Sequence, residues 1–101
     1  MNGIELIAQE RERQVSAEGW TPEHDDQHTQ CELIQAAIGY AAHVAYVATE
    51  GEDPMDPPID WPWEDNAWKP SGDPVRNLVK AGALIAAEID RLARAKAKEG
   101  K

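Results

Sequence analysis

Residues 30–49, QCELIQAAIGYAAHVAYVAT, constrain this chain more than any other stretch. Leu33, Ile34, Ala37, Ile38, Tyr40, Ala41, Val44, Ala45 and Val47 point to nearly every side of a helix. A helix with so little polar face has to be buried on several sides. Its alanines and Gly39 permit close approach by a neighbour. In 101 residues, only the remaining helices and a second subunit can supply that cover.

The rest of the chain reads as partners for this helix. Residues 4–18 form a first helix with Ile4, Ile7, Ala8, Arg11 and Val15 near one face. Gly19 supplies a left-handed stop, and Trp20 anchors the turn beyond it. Thr21-Pro22 starts one short helical turn, with Glu23 and Asp25 just inside. Thr29 and Glu32 predict a capping box for the second helix. Asp73-Pro74 starts a third helix over 74–96. Along it Val75, Leu78, Gly82, Ile85, Ile89 and Leu92 recur at spacings of three and four, widened by Val79, Ala83, Ala86 and Ala93. Gly82 costs about 1 kcal/mol inside a helix, so close packing on another helix is expected there. Residues 97–101 read as a basic, fraying tail.

Residues 50–73 break the helical pattern. Five of the chain's prolines crowd into this segment with Trp61, Trp63 and Trp68, and seven acids precede its first base, Lys69. Three tryptophans are foreign to disordered segments, so an ordered flap across the helices is expected. No sustained alternation signals a strand, and no repeat occurs. The fold class is all-α: a single domain over 1–101, a three-helix bundle with a long ordered Pro/Trp-rich loop, completed by oligomerisation.

Charge and composition exclude several classes. The net charge is −9, with 19 acids against 10 bases, which disfavours nucleic acid as a partner. No run approaches the ~20 apolar residues of a membrane span, and the N-terminus has no signal-peptide core. A cytoplasmic protein with no membrane partner is expected. Cys31 is the only cysteine, so no intrachain disulfide can form. It falls in the apolar helix as a small buried residue, and His28 is the one base near enough to serve a reactive thiol.

The stretches IELIAQERERQ, EGWTPEHDDQHT and WPWEDNAWKPSGDPVRNLVKAGALIAAEIDRL together resemble a group of small, acidic, mostly uncharacterised proteins of tailed phages and prophages. The resemblance spans almost the whole chain except 50–58. It implies phage or prophage origin and action in the cytoplasm of an infected bacterium. It implies no active site.

Three sets of residues offer chemistry. In the first, Glu23, His24, Asp25, Asp26 and His28 are ligand types for zinc, manganese or iron. As a plain connection, the acids cap or complement helix starts. The residues left without a structural job are His24, Asp26 and His28, which are the candidate metal or ligand residues. A divalent ion is the one cofactor they would take. His24-Asp25 is also similar to His-Asp phosphohydrolases, but the further histidines of those enzymes are missing.

The second set is the helix carboxylates, set against all-α pyrophosphohydrolases of the MazG type. Those enzymes hold magnesium with acids three apart on one helix face. Here Glu10 and Glu12 are two apart, Glu32 has Gln35 at the second position, and Glu88 and Asp90 diverge by roughly 200°. The pattern is incomplete, and the balance favours a binding protein over an enzyme.

The third set is the flap with the start of the third helix. Trp61, Trp63 and Trp68 offer stacking faces; Lys69, Arg76 and Lys80 offer positive charge, with Asn77 beside them. Stacking plus a basic cluster suits a nucleotide. The competing reading has the tryptophans covering the second helix and the bases pairing with flap acids. Tyr40, His43 and Tyr46 read as core and edge packing.

Three functions follow. The chain is expected to be an oligomeric phage protein that sequesters a nucleotide signal of antiviral defence. A metal-dependent hydrolase and an inhibitor binding a host protein through its acidic loop are the alternatives.

Overall fold

The computed structural model describes residues 1–54 and 56–100; Met55 of the loop and Lys101 of the basic tail lie outside the described residues. Four α-helices run in the order α1 (Gly3–Ala17), α2 (Pro22–Asp25), α3 (Glu32–Glu50) and α4 (Pro74–Glu99), with a 3-10 turn at Asp65–Ala67. Among the described residues there is no strand, so the fold is all-α. Among the described residues no helix is long and apolar enough to cross a membrane.

α4 is the centre of the architecture. α1, α2 and α3 each pack on α4, and no comparable contact joins α1 to α3. The three long helices therefore form a layer with α4 in the middle, consistent with extents of 50 × 32 × 23 Å. α3 and α4 run antiparallel: the ring of Tyr40 faces Lys80, while His43 and Val47 lie beside Pro74 and Asn77. The core is Leu33, Ala36, Ala37 and Tyr40 of α3 against Ala81, Leu84 and Ala87 of α4, closed by Trp68. Small residues on both helices allow this close approach.

The helix signals divide into those that hold and those that fail. Gly19 is left-handed (φ +73°), and the Trp20 amide reaches back to the Gln14 carbonyl at 2.9 Å. Thr21 accepts from the His24 amide, and Asp73 accepts from the Val75 amide, each ahead of a proline at the helix start. The capping box of Thr29 and Glu32 does not form. Cys31 is the N-cap instead, left-handed at φ +65°, and the Glu32 carboxylate accepts from the Gln30 amide. Cys31 is consequently exposed rather than buried, because it sits in the turn before the helix and not on its apolar face. The basic tail does not fray at 97: α4 continues to Glu99, with Lys96 and Lys98 in its last turn facing the negative helix end.

The flap lies over α3. A Cβ on Gly39 would lie 3.2 Å from Pro58, 3.4 Å from Trp68 and 3.6 Å from Trp61, so this glycine admits the flap and not a helix. Gly82 admits a helix, since a Cβ there would lie 2.5 Å from Cδ1 of Ile7 on α1. The 3-4 stripe of α4 is not its buried face. Val75, Leu78, Ile85, Ile89 and Leu92 are each 41–60% exposed, and the buried face is Asn77, Val79, Ala81, Ala83, Leu84, Ala87 and Glu88.

Candidate functional site

Two cavities lie side by side between the helix layer and the flap, and Trp20 and Ala67 form a wall of both. The first is charged. On α1 the residues Glu10, Arg13 and Gln14 follow the i, i+3, i+4 rule and share a face. On α4, Arg76 and Lys80 are one turn apart. Glu10 is only 3% exposed, and four donors converge on it: Arg13 Nε at 2.8 Å and Nη2 at 3.0 Å, Arg76 Nη1 at 2.7 Å and Gln14 Nε2 at 3.3 Å. Burial would push the Glu10 carboxyl up, but hydrogen bonds from Arg13 and Arg76 and their charges outweigh it, and the net shift is downward.

Lys80 completes this cavity. Its ammonium donates to the Lys69 carbonyl at 2.7 Å and lies 5.3 Å from the Tyr40 ring centroid. Burial, then the charge of Arg76, lowers its pKa. The Tyr40 hydroxyl accepts from the Lys69 amide at 3.3 Å, and burial raises its pKa. The cavity holds ≈ 120 Å³ and is lined by three bases, Arg13, Lys69 and Lys80, and two acids, Glu10 and Glu18. Arg76 stands behind Glu10. In a chain of net charge −9 this is a local excess of positive charge. Gln14 Oε1, inside it, is buried and has no hydrogen-bond partner.

The second cavity is aromatic. It holds ≈ 230 Å³ between Trp20, His24, Asp25, His28, Leu33, Trp63 and Ala67. The His24 and His28 rings meet edge to face at 5.0 Å, His28 lies 5.3 Å from Trp63, and Trp63 lies 6.0 Å from Trp20. The turn begun by Thr21-Pro22 sets this geometry, and two arginines pin it. Arg11 of α1 pairs with the buried Asp25, and Arg94 of α4 holds Asp26 at 2.7 Å and the Pro22 carbonyl at 3.2 Å. Asp26 is kept below the usual carboxylate range by the Arg94 hydrogen bond. Two lining atoms, His24 Nδ1 and Trp63 Nε1, are buried without a partner. An unpaired buried donor or acceptor costs about 1–3 kcal/mol, which a bound polar group can relieve.

The structure thus divides the expected site residues. His24, His28 and Trp63 line the aromatic cavity, and Lys69 and Lys80 line the charged one. Arg76 serves Glu10. Trp68 stacks on Tyr40 at 4.8 Å, and Trp61 meets both rings edge-on, so these two cover α3. Asn77 exchanges hydrogen bonds with the Ser71 backbone at 2.7 and 2.8 Å and fixes the end of the flap. Asp26 turns to Arg94, away from the two histidines, and among the described residues no three His, Cys, Asp or Glu side chains converge. Of the carboxylates weighed for a hydrolase, Glu10 is tied to Arg13 and Arg76 and Glu88 to Arg91 at 2.6 Å, while Glu32 accepts from the Gln30 amide. His28 Nδ1 lies 3.4 Å from Glu32 Oε2 and not against Cys31.

Arg13, Gln14, Trp20 and Tyr40 line the charged cavity without having stood out as candidates, and Glu10 does so although it was weighed only as a metal-binding carboxylate. The available signal was the polar trio at i, i+3, i+4 on the face of α1 that turns inward. Among family models, curated proteins and solved structures, none matches the chain.

Proposed function

We propose that this chain is a small-molecule binding protein whose ligand carries a flat ring and a phosphate, the nucleotide class. One observation carries the reading: an aromatic, imidazole-lined cavity adjoins a cavity lined by three bases, across the wall of Trp20 and Ala67. A planar heterocycle gains stacking against Trp20 and Trp63, a hydrogen bond from the unpartnered Trp63 Nε1 and one with His24 Nδ1. A phosphate gains charge-assisted contacts with Arg13, Lys69 and Lys80. A ribose-type hydroxyl would satisfy Gln14 Oε1. Taken together, the cavities reach the low end of the roughly 300–1,000 Å³ usual for ligand sites.

The resemblance to phage proteins gives this chemistry a setting: the protein holds a nucleotide signal of bacterial antiviral defence and returns it unchanged. Retention is favoured over conversion because the convergent carboxylate, Glu10, is neutralised by two arginines.

The test is a thermal-shift series with nucleotides, nucleosides and inorganic phosphate, followed by chromatography of the ligand released on heating. A nucleotide at a hundredfold over its Kd is expected to raise Tm by roughly 10 °C or more. Trp63→Ala and Arg13→Ala are expected to remove that rise. If no phosphate-bearing ring compound shifts Tm, the proposal fails; if the ligand is consumed when divalent metal is added, the chain is an enzyme instead.

A further inference from the structure

The apolar stripe of α4 is only about half covered by its own chain. Val75, Leu78, Ile85, Ile89 and Leu92 keep heptad spacing over ~26 Å of helix and stay 41–60% exposed. The stripe lies roughly 100° around α4 from Asn77, Ala81 and Leu84, which face α3. α1 meets it at Gly82 through Ile7, and the five larger side chains stay part-exposed. Its five side chains present on the order of 450 Å² of apolar surface, which is within the size of functional patches on monomers.

We propose that this stripe is a dimer seam, and that its occupant is α4 of a second copy running antiparallel. The argument is the order of the stripe itself. Reversed about the midpoint between Ala83 and Leu84, it maps onto itself: Val75 meets Leu92, Leu78 meets Ile89, and Gly82 meets Ile85. Such self-complementarity is what a two-fold interface requires. The central rung lacks a side chain at Gly82, and Ile7 of α1 fills that space, so it supplies the missing apolar group.

The edges of the stripe agree with self-pairing. Val79, Ala86 and Ala93 border one side, and Ala81, Glu88 and Ala95 the other. The single charge among them, Glu88, is bound by Arg91 of its own chain at 2.6 Å. Two copies each carrying −9 repel at long range, and a seam free of unpaired charge is the place where they can meet. A stable dimer buries about 800 Å² per partner, and the stripe supplies about half of that.

The inference stands apart from the ligand reading and is tested separately. Light scattering is expected to give twice the 11.2 kDa of one chain. Ile85→Glu with Ile89→Glu is expected to give a monomer with unchanged helical circular dichroism, since both side chains are half in water already. In a Cys31→Ser background, Val75→Cys and Leu92→Cys chains are expected to cross-link when mixed, several-fold faster than either alone. A monomeric wild type, a dimer that survives the double glutamate variant, or cross-linking of like with like would each overturn the proposal.

Discussion

Arg76 reaches from α4 to the carboxylate of Glu10 on α1, 2.7 Å away, while Arg13 grips the same carboxylate from its own helix. Glu10 is therefore both a tie between two helices and an internal counter-ion in the charged cavity. Glu10→Gln keeps the shape and removes the charge. It is expected to cost about 1–3 kcal/mol in urea unfolding, because two guanidinium groups are left facing a weaker acceptor. In the proposed site a phosphate competes with Glu10 for Arg13, so the same variant is expected to bind phosphate-bearing ligands about tenfold more tightly. Weaker binding together with lower stability would make Glu10 a support for the site and not a rival to its ligand.

The Gly82–Ile7 contact sets a second test. Alanine in place of a mid-helix glycine is worth about 1 kcal/mol in propensity. Here the added Cβ would meet Ile7 Cδ1 at 2.5 Å and Cγ1 at 2.8 Å, so α1 or its side chain has to move. Gly82→Ala is expected to be destabilising by about 1–2 kcal/mol. In an Ile7→Ala background the clash is gone, and the same substitution is expected to stabilise by up to about 1 kcal/mol. A double-mutant cycle in urea measures the change of sign, and an unchanged sign would show that propensity governs this position.

Helix starts give a third. Thr29 and Asp73 look alike in sequence, each an accepting side chain ahead of an apolar helix, but only Asp73 caps. Asp73→Ala is expected to lower stability by about 1 kcal/mol. Thr29→Ala is expected to stay within about 0.5 kcal/mol. Equal losses in chemical denaturation would mean that Thr29 caps α3 in solution.

What could be read from the sequence follows from which signals are local. Helix existence, the Gly19 stop and the Thr21 and Asp73 starts depend on a few neighbouring residues, and the structure bears these out. The Thr29 box fails because Cys31 takes a left-handed conformation that rotates Thr29 out of line with the helix amides. Gly39 and Gly82 both announce close contact, yet nothing local tells that one meets a flap and the other a helix. The tryptophans looked equivalent as stacking faces. Only the tertiary fold sends Trp61 and Trp68 onto Tyr40 and leaves Trp63 beside His28. In sequence Glu10 reads only as half of a failed pair of metal carboxylates, and Arg13 lies off the apolar face of a thin helix. Their role depends on Arg76, 66 residues further along, and long-range pairing leaves no periodic trace.

Stability against pH follows from the shifted groups. Glu10, Asp26 and Glu32 all titrate below their ordinary values in the folded chain. For Glu32, burial pushes upward, and the backbone amides of Glu32 and Gln30 and the His28 ring outweigh it. As pH falls, the unfolded chain takes up these protons first, near the ordinary values of about 4, so acid favours unfolding. Their stabilisation is complete above that point and is lost as pH drops through the lower folded values. In alkali two groups oppose. Lys80, lowered by burial, sheds its proton in the folded state first, so stability rises toward about pH 10.4; Tyr40, raised by burial, holds its proton longer when folded, so stability falls above about pH 10. The expected profile of urea midpoint against pH is a steep acid limb below pH ~4 and a shallow alkaline limb. Glu10→Gln is expected to flatten the first, and Lys80→Met to leave only the decline in the second. If the acid limb keeps its full slope in Glu10→Gln, the buried carboxylate is not the group that titrates there.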